Sequence, residues 1–177
     1  NRQRALAQFE QADNRTDAMA ALQALNGVDC PERTAALARF EERWRHEALV
    51  MDKWFTLQAT APLPGTLDTV RRLMDHPAFD FHNPNKVRAL IGAFCRGNPL
   101  RFHDPDGAGY VFLADQALAL DRINPQIAAR LGSILSQWRR FESGRRGKMR
   151  EQLERMRAAP RLSPDLYEIV AKSLDSA

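Results

Sequence analysis

Cysteine is scarce. The 177 residues hold two, Cys30 and Cys95, too distant in sequence for a C-x-x-C pair and too few for a disulfide framework. They read as buried thiols of a reducing compartment, so a cytoplasmic location is expected. Long apolar runs are missing too. The longest, Ala89 to Cys95, is far short of the ~20 residues that span a bilayer, and no membrane partner is expected. Strand-like alternation of apolar and polar residues is almost absent, which argues against a sheet. Aromatics contribute only 8%, yet 44% hydrophobic and 27% charged residues make an ordinary globular mixture that predicts a packed core. An initiator Met and a signal-peptide pattern are also lacking, and Asn1 to Glu10 already reads as helix, so the chain is expected to be a piece of a longer polypeptide. The formal charge of +4 permits an acidic partner, but spread along helices it reads as solvated surface.

Catalytic devices are missing in the same way. His46-Glu47-Ala48-Leu49-Val50 begins like the H-E-x-x-H zinc helix, but Val50 stands where the second ligand is needed. His76, His82 and His103 show no ligand spacing, and no metal site is expected. Gly144 to Met149 resembles a phosphate loop only superficially, lacking the glycine spacing and the Ser or Thr that holds magnesium. Asp104, Asp106, Gly109 and Asp115 fall at calcium-loop positions, but Ala108 breaks the pattern and a tight turn is the better reading. No Ser sits in a G-x-S-x-G elbow, and neither Cys has a His nearby.

What is present is a series of helix signals. A capping position followed by proline recurs at Cys30-Pro31, Asn83-Pro84, Asn98-Pro99, Asn124-Pro125 and Ser163-Pro164, with Cys30 the poor cap among them. Asn26-Gly27, Arg96-Gly97 and Asp104-Pro105-Asp106-Gly107 supply breaks. Helices are predicted at 2–11, 15–25, 31–45, 47–60, 66–75, 84–96, 110–122, 125–141, 144–158 and 164–174. Apolar stripes at helical spacing support them, one at Val87, Leu90, Ile91 and Phe94, another at Ile127, Leu131, Ile134, Leu135 and Trp138. Short connections favour antiparallel pairs, and a pair takes about 35–40 residues, within the range of armadillo and HEAT-like arrays. The expected fold is therefore all-α, a superhelical array of antiparallel helix pairs in one domain over 1–177, though no sequence repeat marks the period.

The basic stretch from Arg130 to Arg161, with Trp138 and Phe141 alongside, has the composition of a nucleic-acid groove. Glu142, Glu151 and Glu154 are interspersed, and the opposite faces carry Leu131, Leu135, Met149, Leu153 and Met156, so a solvated helix face is the preferred reading.

Several runs resemble one family. These are Leu49 to Thr60 (LVMDKWFTLQAT), Asn83 to Phe94 (NPNKVRALIGAF), Gly107 to Tyr110 (GAGY), Asp121 to Gln126 (DRINPQ) and Ser163 to Tyr167 (SPDLY). Together they look like the C-terminal region of the bacterial aminopeptidase N family of zinc peptidases. The resemblance implies an enzyme that removes single residues from the amino ends of peptides, with zinc held by a thermolysin-like catalytic domain elsewhere in the same polypeptide and none by this chain. The helical domain would cap the catalytic chamber, restrict access and contact the distal part of peptide substrates, and would be inactive in isolation. By the same resemblance Arg88 and Arg130 face the chamber. Periodicity adds Gln126, because Gln126, Arg130, Ser133 and Gln137 fall on one helical stripe. Gly92 and Gly132 inside helices call for close packing or for space beside a ligand, with packing preferred. Cys95-Arg96-Gly97 and Leu100-Arg101 depart from the family pattern. The alternative from a different class is an independent helical-repeat module that binds protein or nucleic acid.

Overall fold

The computed structural model describes residues 2–176, and every regular element among them is helical. The chain divides into two compact units, Asn1–Phe94 and Cys95–Ala177. The first contains α1 (Arg2–Glu10), α2 (Arg15–Leu25), α3 (Pro31–Trp44), α4 (Ala48–Ala59), α5 (Thr66–Leu73) and α6 (Pro84–Val87), followed by a π-helical turn at Arg88–Gly92. The unit boundary falls inside α7 (Ala93–Gly97). The second contains α8 (Pro99–Phe102), α9 (Ala108–Asp121), α10 (Pro125–Gly132), a 3₁₀ segment (Ser133–Arg140), α11 (Ser143–Arg157) and α12 (Pro164–Asp175).

Caps followed by proline set the starts. Asn83 accepts from the Asn85 N–H at 3.0 Å, Asn98 from Arg101 at 3.2 Å, Asn124 from Ile127 at 3.2 Å and Ser163 from Leu166 at 3.2 Å. Each satisfies one of the first-turn amides that have no partner within the helix. Cys30 makes no such bond, as its side chain predicts.

In the first unit α1 packs on α2 and α3, α3 on α4, and α4 on both α5 and the π-turn. Phe40, Met51, Phe55, Val70, Leu90 and Ile91 are fully buried there. The indole N–H of Trp54 donates to the Leu37 carbonyl at 3.1 Å, which resolves its one polar atom in the core. In the second unit α9 is enclosed on most sides, with Tyr110, Phe112, Leu113, Ala114, Ala117 and Leu120 buried. It packs on α10 and α11, and α12 packs on α10 and α11. Trp138 repeats the Trp54 device, its N–H reaching the Ser173 carbonyl at 2.8 Å.

Two expected helices are not single α-helices. The predicted 84–96 helix is interrupted by the π-turn, and the predicted 125–141 helix tightens to 3₁₀ after Gly132. A further short helix, α8, occupies a stretch predicted to be loop.

Candidate functional site

Arg88 stands at the head of the π-turn, and two anchors from α4 hold that turn. The Thr56 hydroxyl donates to the Ala89 carbonyl at 2.8 Å. Two residues before Arg88, the Lys86 ammonium meets the Asp52 carboxylate at 2.7 Å and the Ala48 carbonyl at 2.8 Å. Its cation also lies 5.7 Å from the centre of the Phe55 ring, and its side chain is only 7% exposed. Burial on this scale fixes the segment, because an ammonium removed from water must keep its partners. Val87, Leu90 and Ile91 face the core while Arg88 remains exposed, its guanidinium donating to the Asn85 side chain at 3.0 Å.

Gly92 is not explained by packing. A Cβ there would lie 3.8 Å from both Arg88 Cγ and the Val87 carbonyl, ordinary contact that an alanine tolerates. The preferred close-packing reading therefore fails at Gly92, and what the glycine leaves open is room beside Arg88. At Gly132 the packing is closer, a Cβ coming within 2.9 Å of Leu166 Cδ1, the movable end of a side chain.

Gln126 and Arg130 lie on α10, one turn apart and both exposed, while Ala128 and Leu131 face inward. The backbone of Arg130 is held twice, its carbonyl accepting from Arg96 Nη2 at 2.9 Å and Ser133 Oγ at 2.6 Å. Its guanidinium takes part in none of the ion pairs among the described residues. A planar fork free of carboxylates is suited to bidentate capture of a carboxylate or to donation toward peptide carbonyls. The polar stripe does not extend to Gln137. At about three residues per turn, a 3₁₀ segment carries Gln137 roughly 120° around the axis from Ser133, where an α-helix would carry it about 40°. Arg88 belongs to the first unit, and Gln126 and Arg130 to the second.

The lookalike motifs have structural roles. Glu47 precedes α4 and pairs with Arg15 at 3.9 Å. In the segment resembling a phosphate loop, Glu142 caps α11, accepting from the Gly144 and Arg145 amides at 2.6 and 2.9 Å, so the chain's own carboxylate fills the position an anion would take. Those bonds hold the Glu142 carboxyl below the usual glutamate range. In the segment resembling a calcium loop, Asp106 accepts from the Ala108 amide at 2.9 Å, Gly107 takes φ 76°, and Asp115 pairs with Arg155 at 2.8 Å. No group of three His, Cys, Asp or Glu among the described residues converges to hold a metal ion.

His103 lies in a ring cluster that sequence reasoning did not foresee. Its Nδ1 is 2.7 Å from the Tyr110 hydroxyl, and its ring stacks on Phe141 at 4.5 Å. Burial, then the nearby Arg145 charge, lowers its pKa, and burial pushes Tyr110 up to about 12. The missed Lys86–Asp52 pair had one weak sequence signal: Asp52, with Lys53, breaks the apolar runs Ala48–Met51 and Trp54–Phe55 of α4.

Most of the basic stretch is engaged within the protein. Arg139 stacks over Trp138 at 4.2 Å and donates to the Ser173 and Leu174 carbonyls at 2.7 and 2.6 Å. Arg145 reaches the His103 carbonyl at 2.7 Å, Arg150 meets Glu154 at 2.9 Å, and Arg157 meets Asp175 at 3.1 Å.

Residues 1–175 match the family described as a domain of unknown function (DUF3458_C), ARM repeats, in keeping with the expected armadillo-like class. The chain is 46% identical over 167 residues to aminopeptidase N of Escherichia coli strain K12, covering 94% of this chain and 19% of that protein. Aminopeptidase N of Haemophilus influenzae is 44% identical over 166 residues, again 94% of this chain and 19% of the relative. A crystal structure of Legionella pneumophila aminopeptidase A in complex with aspartic acid superposes with a TM-score of 0.92 at 35% identity, over 99% of this chain and 21% of that one. The chain thus spans about one-fifth of the proteins it matches.

Proposed function

The chain belongs to the DUF3458_C family of ARM repeats, and on that basis we propose that it is the C-terminal domain of a zinc aminopeptidase that releases residues from the amino ends of peptides. Identity of 44–46% to two proteins named aminopeptidase N, across 94% of the chain, supports this reading. Its own residues do not fit a zinc site, because no three candidate ligands converge among those described. In this reading, which follows the family resemblance, zinc and the groups that work on it belong to a thermolysin-like catalytic domain of the same polypeptide. Alone, it is inactive. Its work is to cap the catalytic chamber, restrict entry to peptides and hold the far part of the substrate through Arg88, Gln126 and Arg130. Two free, buried thiols suit a cytoplasmic enzyme.

The observation that carries the substrate role is the exposed Arg130 guanidinium, unpaired with any carboxylate among the described residues while its backbone is pinned from two sides. A charge-assisted hydrogen bond is worth about 1.5–3 kcal/mol, roughly 10- to 100-fold in rate. In the full-length enzyme, Arg130→Ala is expected to lower kcat/KM for a tripeptide by about that factor, while a single-residue chromogenic amide is turned over as before. Equal losses on both substrates would remove the distal-contact role.

A further inference from the structure

We propose that Thr56 is a positioning residue for Arg88, acting through the π-turn; this rests on the reading above, in which Arg88 meets the distal part of the peptide. A π-turn fits one residue more than an α-helix into the same length of axis, so its presence or absence rotates what lies on either side by about 100°. Arg88 opens the turn, and the buried side chains of Leu90 and Ile91 lie within it. Whether the turn forms therefore decides where Arg88 points relative to a core that does not move. A π-turn is rare because it disturbs the regular carbonyl ladder, and it persists where another group compensates.

Here the compensating group comes from α4. Thr56 Oγ1 donates to the carbonyl of Ala89, the residue after Arg88, at 2.8 Å. The helix leading into the turn cannot rotate to follow, because Lys86 is tied to Asp52 and to the Ala48 carbonyl. Gly92 at the far end leaves space against Arg88 Cγ. Three features thus serve one arginine: a fixed approach, a hydroxyl that holds the irregular turn, and an open place beside the side chain. The role assigned to Thr56 is indirect, through the Ala89 carbonyl, and a purely structural threonine would have no reason to affect one class of substrate.

The full-length enzyme is the material for the test, with the wild type compared against Thr56→Val, Thr56→Ser, Arg88→Ala and the Thr56→Val/Arg88→Ala double variant. Each is assayed on a tetrapeptide and on a single-residue chromogenic amide, and its melting temperature is recorded. Thr56→Val keeps the shape and removes the hydroxyl. It is expected to lower kcat/KM for the tetrapeptide about three- to tenfold, mainly through KM, with the amide unchanged. Thr56→Ser restores the hydroxyl and should recover tetrapeptide turnover. In the Arg88→Ala background, Thr56→Val should add nothing further, since its effect passes through that side chain. Additive losses, a Thr56→Val enzyme equally impaired on both substrates, or one indistinguishable from the wild type, would overturn the proposal while leaving Arg88 as a substrate contact. If Arg88→Ala itself shows no selective loss on the tetrapeptide, the distal-contact reading of Arg88 fails first and the positioning role with it.

Discussion

Gly109 and Gly132 both sit inside helices of the second unit, yet alanine at the two positions should behave very differently. At Gly109, the second residue of α9, an added Cβ would lie 2.2 Å from the Phe102 carbonyl oxygen and 3.0 Å from its carbon. Carbon–oxygen contacts settle at about 3.3–3.6 Å, so α8 and α9 would have to separate by roughly 1 Å. The obstructing atoms are backbone, so no rotamer change relieves them. Phe102 is fully buried, edge-on to Tyr110 at 5.3 Å, and the displacement would open that contact as well. Overpacking of this kind costs about 3 kcal/mol at the upper end of its range, offset by up to ~1 kcal/mol from replacing a helical glycine with alanine, for a net loss of about 2 kcal/mol. At Gly132 the near atom is Leu166 Cδ1 at 2.9 Å, the end of a flexible side chain. A shift of that side chain costs about 0.5–1.5 kcal/mol and is nearly cancelled by the same helical gain. Urea unfolding followed by far-UV circular dichroism distinguishes the two. With a slope of about 1–2 kcal/mol per molar, the Gly109→Ala midpoint should fall by roughly 1–2 M and the Gly132→Ala midpoint should barely move. Equal shifts for the two variants would show that the close approach of Phe102 to Gly109 does not limit stability.

Lys86→Met should destabilise by about 3 kcal/mol in the same assay, because Asp52 is left without its counterion, and a Lys86→Met/Asp52→Leu double variant should recover most of that loss. Asn124→Ala removes the acceptor for the Ile127 amide and should cost about 1 kcal/mol, with Asn124→Gly costing only a few tenths. His103 has a folded pKa below its ordinary 6.5. As pH falls below that value the unfolded chain takes up a proton that the folded state refuses, so stability should decline on acidification and be unaffected by His103 titration above it. His103→Phe should flatten that part of the pH–stability curve; an unchanged slope would show that His103 is not the group responsible. Glu142 behaves in the same sense at lower pH, since its depressed carboxyl stabilises the fold above about 4.5 and that contribution disappears as the folded carboxylate is protonated.

Helix positions were legible in the sequence because their causes are local. The predicted starts at 15, 31, 66, 84, 125 and 164 coincide with observed first residues, and most of them follow from a cap or a proline at the first helical position. The departures have causes that lie far along the chain. The stripe Val87, Leu90, Ile91 and Phe94 satisfies an unbroken α-helix, and the π-turn within it is held by Thr56 and Asp52, each more than thirty residues earlier. Nothing in the spacing of the stripe records those partners. α8 is four residues long, too short to show a period at all.

Charge gives a similar lesson about the candidate site. Counting basic residues directs attention to 139–157, where the density is greatest, but Arg139, Arg145, Arg150, Arg155 and Arg157 are occupied with carbonyls and carboxylates of the same unit. A guanidinium held in this way can bind an external anion only by giving up a partner, which cancels much of the gain. Arg130 and Arg88 both lie outside 139–157, and neither pairs with a carboxylate among the described residues. Freedom from a carboxylate is a property of the folded chain that composition does not contain, and among the described residues the exposed Arg122, Arg140, Arg146 and Arg161 share it. The family resemblance pointed to the same two residues for a different reason, the positions they occupy in the matching segments. The accounting of charge partners leaves Arg88 and Arg130 able to take the proposed substrate role but does not select them over other exposed arginines; only the resemblance does that, and the two-substrate comparison of their alanine variants is the test.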